Sequence, residues 1–185
     1  GIQIDATQPS TIVIDWLDYD TDYVVIAAVR SKEGTVASDT AEITTAKDPA
    51  IDLGQGANTY IVSKAGTYSF TPEKVDGTPI DGIASANWIW ATKADENDKE
   101  QKLLDNVAYA GGKIRFTTTG ERGNAVIAAF DATGKSIWVW LIWCTEQPEE
   151  MEYENGGVFL DRFLGATAAD LTDGEATWGN ILYQW

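Results

Sequence analysis

The stretch that decides the fold is GNAVIAAFDATGKSIWVWLIWC, residues 123–144. It holds two runs rich in Ala, Val, Ile and Trp, and the polar segment 131–135 separates them. Strand side chains alternate between two faces, and a glycine-containing turn between two apolar runs is typical of a β-hairpin. The second run is far too short to cross a bilayer as a helix. The stretch therefore predicts two antiparallel strands of an all-β domain.

Other short segments rich in Val, Ile, Thr and Tyr extend the same pattern on the N-terminal side, with glycine-containing turns between them. These segments are 11–17, 23–30, 39–45, 59–63, 67–70, 85–91 and 113–118. Strands at this spacing predict an antiparallel, Ig-like β-sandwich. The best helical candidate is 95–106, where Leu103 and Leu104 are the only strong apolar anchors, and we interpret it as an acidic loop or one short helix.

Composition excludes several classes of function. The 185 residues carry a formal net charge of −16, which repels phosphate backbones and anionic lipid, so we predict no nucleic-acid binding and no direct membrane insertion. The chain has no histidine, which removes Ser-His-Asp and Cys-His catalysis and the commonest zinc ligand. Cys144 is the sole cysteine and ends an apolar run, so we expect a buried, inert thiol. We predict no catalytic residue, no metal and no cofactor.

Composition also divides the chain into three segments. Proline in the stretch 47–49 breaks any helix or central strand, and the acidic stretch 147–150 is typical of a solvated linker. The predicted segments are 1–47, 48–147 and 148–185.

The first segment contains the pattern L-x-x-x-T-x-Y at Leu17, Thr21 and Tyr23. A tyrosine that enters a strand after such a turn can bond through its hydroxyl to the upstream backbone and close the corner of a sandwich. The segment 1–47 resembles the last strands of a fibronectin type III domain. The resemblance implies that the first half of that domain lies before Gly1.

Motifs of the rest of the chain resemble, in order, the fimbrillin-like domains of Bacteroides-type bacteria. They are 58–62, 66–70, 123–129, 131–134, 137–143, 161–162, 164–167 and 182–185. Phe163 departs from the family, which usually has a polar residue there, and Leu141 stands where a histidine is frequent. The family also continues past Trp185, so we expect 148–185 to be the start of a further surface module. The resemblance implies secretion, often as a lipoprotein, and a role in fimbriae, adhesion or glycan-related surface assemblies.

Tryptophan is abundant, with 8 residues. Trp138 and Trp140 share one face of their strand by alternation, and we expect Trp88 and Trp90 to do the same on another. Indoles in a core are the favoured interpretation, because tryptophan is mostly buried. The alternative is an aromatic platform that stacks on sugar rings. The platform candidates are Trp178, Trp185, Trp88 and Trp90, of which the first two are the better candidates for exposure.

Asp18, Asp20 and Asp22 alternate like the first ligands of a calcium loop. An EF-hand would need glycine and glutamate where Tyr23 and Val29 stand, so the EF-hand interpretation fails. A solvated turn is the favoured interpretation, and a looser calcium site is the alternative.

Two smaller features complete the candidate sites. Asp39-Thr40-Ala41 resembles the O-glycosylation signal of Bacteroides-type bacteria, which makes Thr40 a candidate modification site. Asp161 and Arg162 are expected to form a structural ion pair.

Together these observations predict a non-catalytic structural or adhesive protein of the outer-membrane surface or fimbrium. Its partners would be other protein subunits, surface polysaccharide or host glycan, and its assembly would proceed by addition of a strand to an unpaired edge. The first alternative is a carbohydrate-binding module of a larger polysaccharide-processing protein. The second is a carboxylate-using hydrolase, for which the sequence nominates no pair of residues.

Overall fold

A computed structural model describes residues 13–14, 17–31, 34–92 and 103–169 of the chain. Within these ranges every regular element is a β-strand, which confirms the all-β class, and no helix there is long and apolar enough to cross a membrane. The strands are β1 Asp22–Ser31, β2 Gly34–Thr44, β3 Ile51–Gln55, β4 Thr59–Val62, β5 Gly66–Thr71, β6 Ser85–Ala91, β7 Leu104–Ala110, β8 Lys113–Thr118, β9 Gly123–Phe130, β10 Ser136–Cys144, β11 Glu150–Glu152 and β12 Val158–Leu160. The chain divides into two compact units, 1–48 and 49–185. The three predicted segments stay a prediction.

The first unit contains a two-stranded antiparallel ribbon of β1 and β2. The backbone N–H of Asp18 donates to the hydroxyl of Tyr23 at 2.9 Å, which is the corner bond that the sequence pattern predicts. Asp20 has a φ of 50° in the turn before β1, a conformation that aspartate tolerates better than most residues.

The second unit contains two four-stranded sheets. We name the sheet with order β4-β10-β9-β6 sheet I, and the sheet with order β3-β5-β8-β7 sheet II. The inner pairs are antiparallel as expected, but β4 runs parallel to β10 and β3 runs parallel to β5. The chain passes from sheet II to sheet I between β3 and β4, where Gly56 has a φ of 72°. The segment that contains β3 and β4 therefore pairs with β5 in sheet II and with β10 in sheet I. Hydrophobic alternation predicts a strand but not whether its neighbour is parallel or antiparallel.

The two sheets bury a common core, as a β-sandwich requires. Phe70 of sheet II lies against two rings of sheet I, with centroids 4.4 Å from Tyr60 and 5.1 Å from Trp140. Phe70 and Trp140 are fully buried, as are Ile114 and Ile127 from the central strands. Apolar burial between the sheets therefore stabilises the second unit.

The helical interpretation of 95–106 is wrong where the structure describes that segment. Leu104 begins β7, and β7 pairs with β8 at the edge of sheet II. Leu103 and Leu104 are both buried in the core, as apolar anchors should be, but Leu104 belongs to β7 and Leu103 immediately precedes that strand. Residues 93–102 lie outside the described residues.

Residues 150–168 form a hairpin of β11 and β12 and a following segment that packs on the second unit's sandwich. The indole N–H of Trp143 donates to the carbonyl of Ala166 at 2.8 Å, and the amide of Asn124 donates to the carbonyl of Gly165 at 2.7 Å. Pro148 is buried, so the stretch expected to be a solvated linker is only partly solvated. The predicted pair of Arg162 with Asp161 is confirmed by contacts of 2.7 and 2.8 Å.

Candidate binding surfaces

The outward face of sheet I is the first candidate surface. The strand register places Trp90, Val126, Leu141 and Thr59 in one row across the four strands. Val139 lies on the same face, two residues before Leu141 on β10. The outward positions are Thr59, Ile61, Asn87, Trp90, Asn124, Val126, Ala128, Phe130, Val139, Leu141 and Trp143.

None of these outward positions carries a charge, in a chain of which 23% of the residues are charged. The outward face of sheet II is different, because Asp52, Lys113, Arg115 and Asp105 lie on it and Lys113 pairs with Asp52 at 2.7 Å. A sheet face that only contacts water normally carries charges, and charged residues are depleted at the core of interfaces. The contrast makes the outward face of sheet I a candidate contact surface.

One end of this face is already covered. Residues 165–168 bury Trp143 and Asn124, which are 1% and 7% exposed. The other end stays open, where Trp90 and Val139 are each about half exposed. The open end therefore presents one indole on an uncharged apolar surface, with Asn87 exposed beside it.

The expectation that Trp88 and Trp90 share a face is wrong. Trp88 pairs with Ile127 and packs against the core, whereas Trp90 pairs with Val126 and points outward, because a bulge at Ile89 inserts one residue between them. A bulge shifts the alternation by one residue and leaves no signal in the apolar pattern.

Of the other tryptophans, two lie at inward positions of β10, Trp143 is covered by residues 165–168, and Trp16 lies outside the described residues. Trp140 is fully buried, and Trp138 is partly buried with its indole N–H donating to Asn58 at 3.2 Å. Trp178 and Trp185 lie outside the described residues. Among the described residues, Trp90 is thus the one platform candidate that points outward and is half exposed. The described part of the chain contains no row of exposed indoles.

The acidic and modification candidates are all in the first unit. Asp22 accepts a hydrogen bond from the hydroxyl of Thr44 at 2.7 Å, and the described residues contain no cluster of three metal-ligating side chains. Thr40 is exposed on β2, with its backbone N–H bonded to Asp39 at 2.9 Å. Its glycosylation stays a prediction.

The pKa values of four carboxyls bear on the hydrolase alternative. A hydrogen bond from Lys113 lowers the pKa of Asp52, and one from Arg162 lowers the pKa of Asp161. Hydrogen bonds from Thr133 and Thr78 lower the pKa values of Asp131 and Asp76 in the same way. A general acid needs a raised pKa, so these four are poor candidates for that role.

Cys144 is equally unsuited to nucleophilic chemistry. Its side chain is buried, and burial raises the pKa of the thiol to about 12. The thiolate is the reactive form of cysteine, so the thiol stays protonated and inert at neutral pH.

The ribbon of the first unit is the second candidate surface. Val24 and Ile26 lie on one face of β1 and are 60% and 65% exposed. Each ribbon strand pairs only with the other among the described strands, so both outer edges of the ribbon are without a described partner strand.

No protein-family model matches the chain, and no curated protein matches it. One solved structure with some similarity is the mixed-linkage glucan utilization locus protein SGBP-B of Bacteroides ovatus, in complex with a mixed-linkage heptasaccharide. The two are 10% identical with a TM-score of 0.25, and the match covers 74% of this chain and 34% of that one. The chain thus spans about a third of that protein's length. A likeness this low establishes neither a shared fold nor a shared function.

Proposed function

We propose that the chain is a non-catalytic structural or adhesive protein of the bacterial surface, as a fimbrial or surface-anchored binding subunit. The observation that carries this proposal is the β1–β2 ribbon, with its exposed apolar side chains and its two edges that lack a described partner strand. A two-stranded ribbon is marginally stable by itself, so addition of a partner strand would stabilise it. The resemblance of 57–185 to fimbrillin-like domains supports the same role.

The edges of the sandwich are much less suited to accept a strand. Edge strands β3, β6 and β7 each contain a register irregularity, and β4 has only 4 residues. Bulges and short lengths are the usual protection against edge pairing. In contrast, β1 and β2 have 10 and 11 residues and pair regularly from Asp22 to Val29. Strand addition would therefore take place at the ribbon.

The ribbon's hydrogen-bond pattern identifies the groups that face its outer edge. The backbone N–H of Thr45 donates to the carbonyl of Thr21 at 3.0 Å, which marks this as a hydrogen-bonded pair. Such pairs alternate along an antiparallel ladder, so Val25 is also bonded to β2, whereas the N–H groups of Val24 and Ile26 face outward. A partner strand on this edge would bond to those two groups.

The test replaces Val24 with proline, which removes an outward N–H and leaves the ladder to β2 intact. We expect the full-length protein to associate with increasing concentration in sedimentation velocity, and Val24→Pro to weaken association by about tenfold. Val24→Thr is the matched control, since it keeps the N–H. The proposal fails if the protein stays monomeric at every concentration while the Val24 and Ile26 amides are already protected from hydrogen exchange.

Carbohydrate binding is the second candidate function, and the open end of the sheet I face favours it. A half-exposed indole can stack on a sugar ring, and the exposed amide of Asn87 can bond to hydroxyl groups. The outward strand positions lack cations, so a neutral glycan is the matching ligand.

A glycan array on the intact protein tests this alternative. Binding to a neutral glycan that Trp90→Ala abolishes would establish it, with Val75→Ala as the control because Val75 is exposed on the loop between β5 and β6. Binding that Trp90→Ala leaves unchanged would remove it.

A further inference from the structure

The hairpin of β11 and β12 exposes an unusual amount of apolar surface on both of its faces. Met151 and Phe159 are a cross-strand pair on one face, where the Phe159 ring also packs edge-on against Tyr153 at 5.2 Å. Val158 and Leu160 lie on the other face. All five side chains are between 41% and 60% exposed. Contiguous exposed apolar surface of this kind is typical of an interaction site.

Side-chain contacts of Arg162 anchor the hairpin to the sandwich, so its exposed apolar side chains belong to an ordered element. The Arg162 side chain is only 4% exposed and bonds Asp161, Thr145 and Glu146. Glu146 also pairs with Arg122 at 2.8 Å, which connects the network to the start of β9.

A cavity of about 690 Å³ opens beside the hairpin. Its described lining is apolar apart from Asp161 and Arg162, which neutralise each other, and consists of 158–164 with Ala166, Ala168 and Ala169. Phe163 lies in this lining and is 79% exposed. The volume is within the range of cavities that enclose a ligand of drug size, so it can take two or three large apolar side chains.

The rim of the surface is acidic. Glu149, Glu150, Glu152 and Glu154 are all exposed, and none of them pairs with a cation among the described residues. Two partners from the protein itself, its own residues 170–185 and a second copy of the chain, are disfavoured because their charge does not complement the glutamates. Residues 170–185 contain three acidic and no basic residues, and a second copy carries a net charge of −16.

We propose that this hairpin surface, defined as Met151, Tyr153, 158–160 and Phe163, docks a polypeptide segment of another protein. That segment presents large apolar side chains to the cavity and Lys or Arg to the four glutamates. A sugar ring is a poor match, because the apolar side chains cover both faces of the hairpin and form no single aromatic plane. This surface consists of other residues than the ribbon and the outward face of sheet I, so it adds a docking site to the proposed function.

Photo-crosslinking from position 163 tests the proposal in the full-length protein. Phe163 is replaced by benzoylphenylalanine, and the probes are two synthetic peptides, one of alternating Leu and Lys and one of alternating Leu and Glu. We expect capture of the Leu-Lys peptide from position 163, and none from the same group placed at Val75, which is 73% exposed elsewhere on the surface. Equal capture from Val75 would show non-specific attraction to an acidic protein and would overturn the proposal.

The same experiment identifies the rival occupants. Crosslinks from position 163 to residues 170–185 of the same chain, or to a second copy, would each overturn the choice of a foreign partner. In a parallel binding titration, Phe159→Ser should weaken affinity for the Leu-Lys peptide by about tenfold or more, and Val75→Ser should leave it unchanged. An unchanged affinity in Phe159→Ser would also overturn the proposal.

Discussion

Replacement of Phe70 by alanine should strongly destabilise the sandwich. Phe70 is fully buried between the sheets, where it stacks on Tyr60 at 4.4 Å and lies 5.1 Å from Trp140. The variant loses the transfer free energy of the ring and leaves a cavity between two sheets that cannot collapse freely. It also loses the ring contacts with Tyr60, Trp140 and Phe116. We expect a loss of about 4 kcal/mol in the free energy of unfolding.

Urea unfolding followed by tryptophan fluorescence measures this change, because Trp140 and Trp143 are buried and report on the packing of sheet I. For an m-value of about 2 kcal/mol/M, the expected loss moves the midpoint down by about 2 M. Phe70→Leu should lose only about 1.5 kcal/mol, since it fills most of the space. Val75→Ala is the surface control and should change stability by less than about 0.5 kcal/mol. A midpoint shift below about 0.5 M for Phe70→Ala, with an unchanged m-value, would refute packing of the two sheets through this ring.

Three further predictions follow from the described contacts. The hydrogen bond from Arg162 lowers the pKa of Asp161, so the Asp161 carboxylate stabilises the fold above its ordinary pKa of about 4. This contribution is lost as pH falls below that value. In a plot of urea midpoint against pH, Asp161→Asn should therefore show a smaller fall at acid pH than the unsubstituted protein. Cys144 should react with iodoacetamide only as fast as the protein unfolds, and rapid labelling of the native state would contradict its burial. Gly123→Ala places a Cβ 2.5 Å from the Thr92 Oγ1 atom and 2.8 Å from the Leu103 Cδ1 atom. The free energy of unfolding from a urea titration should fall by about 1 to 3 kcal/mol, and an unchanged midpoint would contradict this close packing.

The alternation of apolar residues predicted most of the strands, because each strand of a sandwich buries one face and the pattern follows directly from that burial. The stretch 123–144 behaves as expected, with β9 and β10 paired antiparallel at the centre of sheet I. The tyrosine corner was also predictable, since its signal is local and the bond from Asp18 to Tyr23 spans only five residues.

Several features that the sequence did not predict depend on contacts between distant parts of the chain. Leu104 belongs to a strand because β8 offers an edge for it, which the acidic composition around it does not indicate. Trp90 points outward because of the Ile89 bulge, and a bulge depends on the register with β9. The uncharged face of sheet I became recognisable only when four strands separated in sequence were placed side by side.

The parallel pairing of β4 with β10 has a mechanical consequence. β4 is close to the N-terminal end of the second unit, and β10 is its neighbour in sheet I, with Thr59 opposite Leu141 and Val62 opposite Cys144. Tension applied along the chain through β4 and β10 would slide these two parallel strands past each other, so their hydrogen bonds would bear the load together instead of opening one after another. Such an arrangement would resist pulling, which is a useful property in any protein that connects a cell to something outside it.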